Sequence, residues 1–193
     1  MYTWKITKNL TNPLDPEWDE LTLACLGEQV HKNRKMGFLL SREALKMAFM
    51  EQGVELQIKD LKLQEFHLLH HLPEFTFSLT HTKDFGAALI AKRKDFLSVG
   101  IDVENESRTV KDSVLNRIAH PEDLTNLRKI EVWCLKEAVY KALMNSGKFS
   151  SSIGFTSIQL KQNRWDHSPS GLSGEWSLQR VDEALIAMAF LKS

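Results

Sequence analysis

The chain has 193 residues, 42% of them apolar and 26% charged, with 9 Gly and 5 Pro. That composition excludes a disordered, collagen-like or disulfide-stapled protein and leaves one or two globular domains of roughly 100–200 residues each. Lys plus Arg and Asp plus Glu both number 25, so the formal net charge is zero. Attachment to nucleic acid or to an anionic membrane by bulk charge is thereby excluded, and any anion must be held by a local cluster.

The first residues, MYTWKITKNLTNPLDPEW, contain no apolar stretch of the kind a signal peptide needs. The longest apolar run, Ala184 to Leu191, has eight residues, where a membrane span needs about 20. Cys25 and Cys134 form no CxxC pair. Together these features lead to an expectation of a cytoplasmic protein whose two thiols are free and buried or neutral.

In chain order, YTWKI reads as a strand. Asp15-Pro16-Glu17 supplies an N-cap, a Pro at the first helical position and an acidic first turn, so a helix is expected from there toward Val30. A second helix is expected from Arg34 to Met50, with Phe38, Leu45 and Phe49 at helical spacing and Gln52-Gly53 as its stop. Residues 54–73 carry no single pattern. Strands follow at Phe75–Leu79, Gly86–Ala91 and Leu97–Val103. His120-Pro121-Glu122-Asp123 reads as the start of a long helix running to about Asn145, stopped by Ser146-Gly147. Phe155–Leu160, Gly174–Arg180 and Ala184–Leu191 read as strands. The alternation of helices with short strands indicates an α+β or α/β fold.

The sequence also echoes itself. REALKMAFM (42–50) resembles KEAVYKALM (136–144) at an offset of 94 residues, and FSLTHTKDFGAALIA (77–91) resembles WSLQRVDEALIAMAF (176–190) at an offset of 99. Duplication of a unit of about 95 residues would produce this order and spacing; chance among helix-forming segments is the other reading.

Four constellations can carry chemistry. In Gly100-Ile101-Asp102-Val103-Glu104 the alternation of a strand places Asp102 and Glu104 on one side and Ile101 and Val103 on the other. Two carboxylates on one face suit a hard cation such as Mg²⁺; a solvated strand end is the alternative. Trp133, Glu137 and Lys141 share a helix face at i, i+4 and i+8, either as an ordinary Glu–Lys surface pair or as a third carboxylate beside a fixed cation. Thr80-His81 places a hydroxyl and an imidazole at a strand end. Residues 31–50 hold five basic residues (Lys32, Arg34, Lys35, Arg42, Lys46) against one acid (Glu43), a local excess of four positive charges. That run is either an anion site or a solvated helix face. His67, His70 and His71 lack the partners of a zinc pattern. No P-loop, dinucleotide-binding, zincin or hydrolase motif occurs.

The order basic helix, Thr-His, Gly-Ile-Asp and then, about 30 residues on, Trp133-Cys134-x-Lys136-Glu137-Ala138-x-x-Lys141 resembles the 4′-phosphopantetheinyl transferase superfamily. It is most like the surfactin-synthetase-activating type, built as a two-copy pseudodimer. The resemblance implies an α+β fold of two similar α/β units of about 95 residues related by a pseudo-twofold, each a short antiparallel sheet packed with a long helix. The units would span residues 1–95 and 96–193, the second carrying the metal carboxylates.

The implied reaction is transfer of 4′-phosphopantetheine from coenzyme A to a serine of an apo acyl, peptidyl or aryl carrier protein. It would depend on Mg²⁺ and release adenosine 3′,5′-bisphosphate. Carried over by residue, Asp102, Glu104 and Glu137 are the metal carboxylates. By the same resemblance Glu137 also deprotonates the attacking serine, directly or through water, and Lys141 neutralises or protonates the leaving phosphate. Thr80, His81, Lys136, Lys32, Arg34, Lys35 and Arg42 are the coenzyme A contacts. A monomer acting without nucleic acid or membrane is expected. The chain lacks the Gly-x-Lys-Pro segment that longer members usually carry ahead of the His81 strand, and it is shorter than typical two-copy members. Two other readings are a non-catalytic coenzyme A- or carrier-binding module and a DxE-type metal-dependent nuclease.

Overall fold

The computed structural model describes residues 1–63 and 69–193. Its elements in chain order are β1 (Tyr2–Thr7), α1 (Pro16–Leu26), α2 (Lys32–Glu51), β2 (Phe75–His81), β3 (Gly86–Lys92), β4 (Phe96–Asn105), α3 (Asp112–Ile118), α4 (Lys129–Asn145), β5 (Ile158–Lys161), β6 (Arg164–His167), β7 (Leu172–Val181) and β8 (Ala184–Lys192). Strands β1-β3-β2 form one antiparallel sheet, and β4-β8-β7-β6-β5 form another. The α+β expectation holds. The halves are unequal, three strands against five, yet β1-β3-β2 and β4-β8-β7 share one connectivity: a first strand, a helix, then a hairpin whose second strand pairs with the first. Both sequence echoes fall on corresponding elements, α2 with α4 and the β2–β3 hairpin with the β7–β8 hairpin.

Three apolar clusters order the layers. Phe38, Leu45, Ala48 and Phe49 of α2 pack with Phe75, Phe77, Ala88 and Ile90 on one face of the first sheet. The opposite face, with Phe85, Ala87 and Leu89, meets Val99, Ile101, Val103, Ile186 and Met188 of the second sheet. Leu135, Ala138, Val139 and Leu143 of α4 cover the far side of that sheet. The layers therefore run helix, sheet, sheet, helix. Such stacking follows from strands that are apolar on both faces. β8, Ala184–Lys192, is buried at every position but its last.

Several boundaries differ from the sequence reading for local reasons. Helix α1 starts as expected, with the Asp15 carboxylate accepting from the Glu17 N–H at 3.0 Å. It stops at Leu26 rather than near Val30 because Gly27 takes φ +81°, outside the helical region. The expected helix from His120 to Asn145 begins only at Lys129, and α3 precedes it unannounced. The Asp123 carboxylate holds the segment in a turn. It accepts from His120 N–H at 2.8 Å and Leu160 N–H at 2.7 Å, while the Leu124 N–H donates to the Leu160 carbonyl. Those bonds take the His120 and Leu124 N–H groups and bind the chain to β5, so the segment turns there instead of starting the helix. Phe155–Ser157 forms a 3₁₀ turn ahead of β5, and β6 was not anticipated. His67 lies outside the described residues; His70 and His71 are exposed.

Where β4 meets α4, Gly100 sits against helix backbone. A Cβ there would overlap the Ala138 carbonyl and crowd the Ala142 nitrogen at 2.6 Å. Ser98 Oγ, two residues earlier, donates to the Ala142 carbonyl at 2.6 Å. Contact this close aligns Asp102 of β4 with Glu137 and Lys141 of α4. Gly100→Val forces the helix outward, and a loss of about 3 kcal/mol or more is expected, the upper end for overpacking. Urea unfolding measures it; wild-type stability in that variant would contradict the backbone contact.

Candidate active site

The carboxylate strand and the helix face converge as their periodicities require. Leu79, Thr80, His81, Asp102, Glu104, Trp133, Glu137 and Lys141 line one open cleft of about 350 Å³. Ile101 and Val103 point the other way, into the core between the sheets. At the centre Asp102, only 6% exposed, accepts through Oδ1 from Thr80 Oγ1 at 2.9 Å and from Lys141 Nζ at 2.7 Å. Its Oδ2 is buried and has no hydrogen-bond partner among the described residues. Lys141 also donates to the Ile101 carbonyl at 3.0 Å. Glu104 accepts from Trp133 Nε1 at 2.9 Å and pairs with Arg108, whose guanidinium lies 5.2 Å from the Trp133 ring centre. Burial pushes the Glu137 carboxyl above the usual carboxylate range; the neighbouring charge of Asp102 adds to this, and Lys141 opposes it.

The two halves meet at this cleft. β2 lies beside β4, where Ser78 Oγ accepts from the Ile101 N–H at 3.2 Å. Asn145 Nδ2, at the end of α4, donates to the Val99 carbonyl at 3.1 Å and to that of Phe77 at 3.4 Å. Thr80 and His81 thus come from the first half and the carboxylates from the second.

A second cavity, of about 490 Å³, adjoins the first at Leu79 and His81. Ala24, Cys25 and Leu26 of α1, Arg34, Phe38, Ser41 and Arg42 of α2, and Lys62 and Leu63 line it. Arg42 is 5% exposed and its guanidinium lies over the Phe38 ring, 3.4 Å from the ring centre. One of its terminal nitrogens donates to the Phe38 carbonyl and Ser41 Oγ, both at 3.3 Å, while Nε is buried with no partner among the described residues. Burial lowers the Arg42 pKa to about 10. His81 is pushed down as well, by burial first and then by Lys141, Arg42 and Arg34, so its imidazole is neutral at pH 7. These cationic surroundings favour an anion.

Not every residue named from sequence arrives here. Lys35 pairs with Asp19 at 2.7 Å, and neither Lys35 nor Lys32 lines the basic cavity. Lys136 requires a correction. It has no solvent exposure; its ammonium pairs with Asp123 at 2.8 Å and donates to the Ile158 and Phe155 carbonyls. In this position it cannot touch a coenzyme A phosphate. A signal for this was available: Lys136 falls at helical spacing with Val132, Val139 and Leu143, all buried. Sequence reasoning missed Lys62 and Arg108, whose places depend on distant parts of the chain. Glu43, counted against the basic run, is buried and accepts from the Thr11 N–H at 3.2 Å, so it does not offset Arg34 and Arg42 in the cavity.

Residues 98–187 match the family model of the 4′-phosphopantetheinyl transferase superfamily. The matched segment runs from β4 into β8 and includes the Asp102–Glu104 strand and the Glu137–Lys141 helix. The match supports a phosphopantetheinyl transferase function in general terms. A comparison with curated proteins gives no match. Proteins of that superfamily use coenzyme A and typically a divalent metal. Among the described residues, no three His, Cys, Asp or Glu side chains already form a metal-holding group. Asp102 is tied to Lys141 and Glu104 to Arg108. The donor set nevertheless suits a hard cation: three carboxylates bordering one cleft, one with a buried oxygen lacking a partner. Among the described residues no helix is long and apolar enough to cross a membrane.

Proposed function

We propose that the chain is a Mg²⁺-dependent 4′-phosphopantetheinyl transferase that moves the phosphopantetheine arm of coenzyme A onto a serine of an apo carrier protein. The observation that carries the reading is Asp102, whose partnerless Oδ2 lies buried in a cleft bordered by Glu104, Glu137 and Lys141. Asp102, Glu104 and Glu137 would hold the Mg²⁺, which when bound supplies Lewis-acid stabilisation of the pyrophosphate oxygens. Glu137, held above the ordinary carboxylate range, takes the proton of the serine hydroxyl. The serine oxygen forms its bond to the phosphorus bearing the pantetheine arm as the pyrophosphate bond breaks. Lys141 meets the negative charge on the departing adenosine 3′,5′-bisphosphate. Arg34, Arg42 and His81 in the adjoining basic cavity receive the nucleotide phosphates, with Lys62 beside them. Thr80, which lines the same cleft, orients Asp102 through its hydroxyl.

We read residues 1–95 and 96–193 as two copies of one α/β unit in a monomer, supported by the shared connectivity and the two sequence echoes. Purified protein with Mg²⁺ and coenzyme A is expected to add about 340 Da to an apo carrier, the mass of the transferred group. Intact-mass spectrometry of the carrier reads this directly. An unchanged mass across fatty-acid, polyketide and nonribosomal-peptide carriers rejects the reaction.

A further inference from the structure

The two cysteines live in opposite environments. Cys134 lies on the buried face of α4, and burial pushes its thiol far up, which leaves it inert. Cys25 is exposed, and it stands in the wall of the basic cavity with Arg34, Arg42 and Lys62. No carboxylate is among the described residues lining that cavity. A second observation indicates that an anion belongs there. Arg42, only 5% exposed, lies in the same wall, and among the described residues its Nε has no partner, an arrangement that is costly unless something pairs with it. Exposed thiols in electropositive surroundings are the ones that exchange with disulfides, and fixed positive charge concentrates anionic reagents by tenfold or more.

We propose that Cys25 is a thiolation site for anionic low-molecular-weight disulfides, and that the adduct fills the basic cavity. The Cys25 thiolate attacks one sulfur of the disulfide, a new S–S bond forms to that half, and the other half leaves as its thiolate, which takes up the proton lost by Cys25. No other oxidant is needed. The adduct's carboxylates then lie beside Arg34 and Arg42. The claim of a filled cavity rests on the proposed transfer reaction for its consequence; the claim of thiolation does not.

The intact protein is incubated with glutathione disulfide, which is net anionic, or with cystamine, which is dicationic, and adducts are followed by intact mass and peptide mapping. Expected is one adduct per chain, on Cys25, forming about tenfold faster with glutathione disulfide. The preference should shrink in high salt and in Arg34→Gln, and dithiothreitol should remove the adduct. Cys25→Ser should take up none. No adduct, an adduct on Cys134, or equal rates with the two disulfides overturns the site. In the transfer assay, thiolated wild type should lose activity while Cys25→Ser treated alike keeps it. Full activity in the thiolated enzyme overturns the filled cavity. If no sample transfers at all, the proposed reaction fails, and the mass measurement still decides the site.

Discussion

Asp102→Asn is expected to reduce transfer from coenzyme A by about a hundredfold or more, while leaving the melting temperature unchanged or slightly raised. The two expectations have one cause. Asp102 lies among like charges, with Glu104 and Glu137 bordering the same cleft and one of its own oxygens buried and unpartnered. Such an arrangement is costly in the folded protein and is retained for what it binds. The amide keeps the shape and can still accept from Thr80, but it removes the charge that a cation needs and that anchors Lys141. Steady-state kinetics with an apo carrier, alongside thermal unfolding by circular dichroism, separate the two effects. A variant with wild-type kcat would remove Asp102 from the reacting site.

Asp123→Ala is expected to destabilise the fold by about 3–5 kcal/mol, because it strands the ammonium of Lys136 in the interior. The loss extends beyond the ion pair. The same carboxylate satisfies the N–H groups of His120 and Leu160, and it pairs with a lysine that is 0% exposed. Burial already pushes the Lys136 pKa down, with Asp123 opposing that shift. Lys136→Met should cost less, since Asp123 keeps its two backbone donors. The decisive comparison is functional. At a temperature where it is folded, Lys136→Met should retain the wild-type KM for coenzyme A. A large rise in KM without loss of stability would restore Lys136 to the substrate contacts. Urea denaturation and the coenzyme A dependence of the rate together answer this.

The fate of adjacent residues shows how far local pattern reaches. Asp102 and Glu104 could be placed together from the two-residue period of a strand, and Trp133, Glu137 and Lys141 from the turn of a helix. Both placements hold, since the flanking residues on the opposite faces are core. The motif points Lys136, next to Glu137, at the substrate, yet its helical phase places it among Val132, Val139 and Leu143. The phase was readable; the partner that makes a buried lysine tolerable was not, because Asp123 comes from a segment whose Pro121 reads as a helix start. That segment is held as a turn by bonds to β5.

By itself, then, the sequence determined the α+β pattern, the α1 N-cap, the long helices and the side chains that share the carboxylate cleft. Each of these follows from interactions between residues near one another in the chain, where period and capping decide the outcome. Only the tertiary structure decided which basic residues face the second cavity. Lys35 turns to Asp19, Glu43 is held by Thr11, and Lys62 arrives from beyond α2. It likewise decided that Cys25 is open to solvent while Cys134 is sealed. Those outcomes depend on packing between distant segments, which charge counts and local periodicity do not contain.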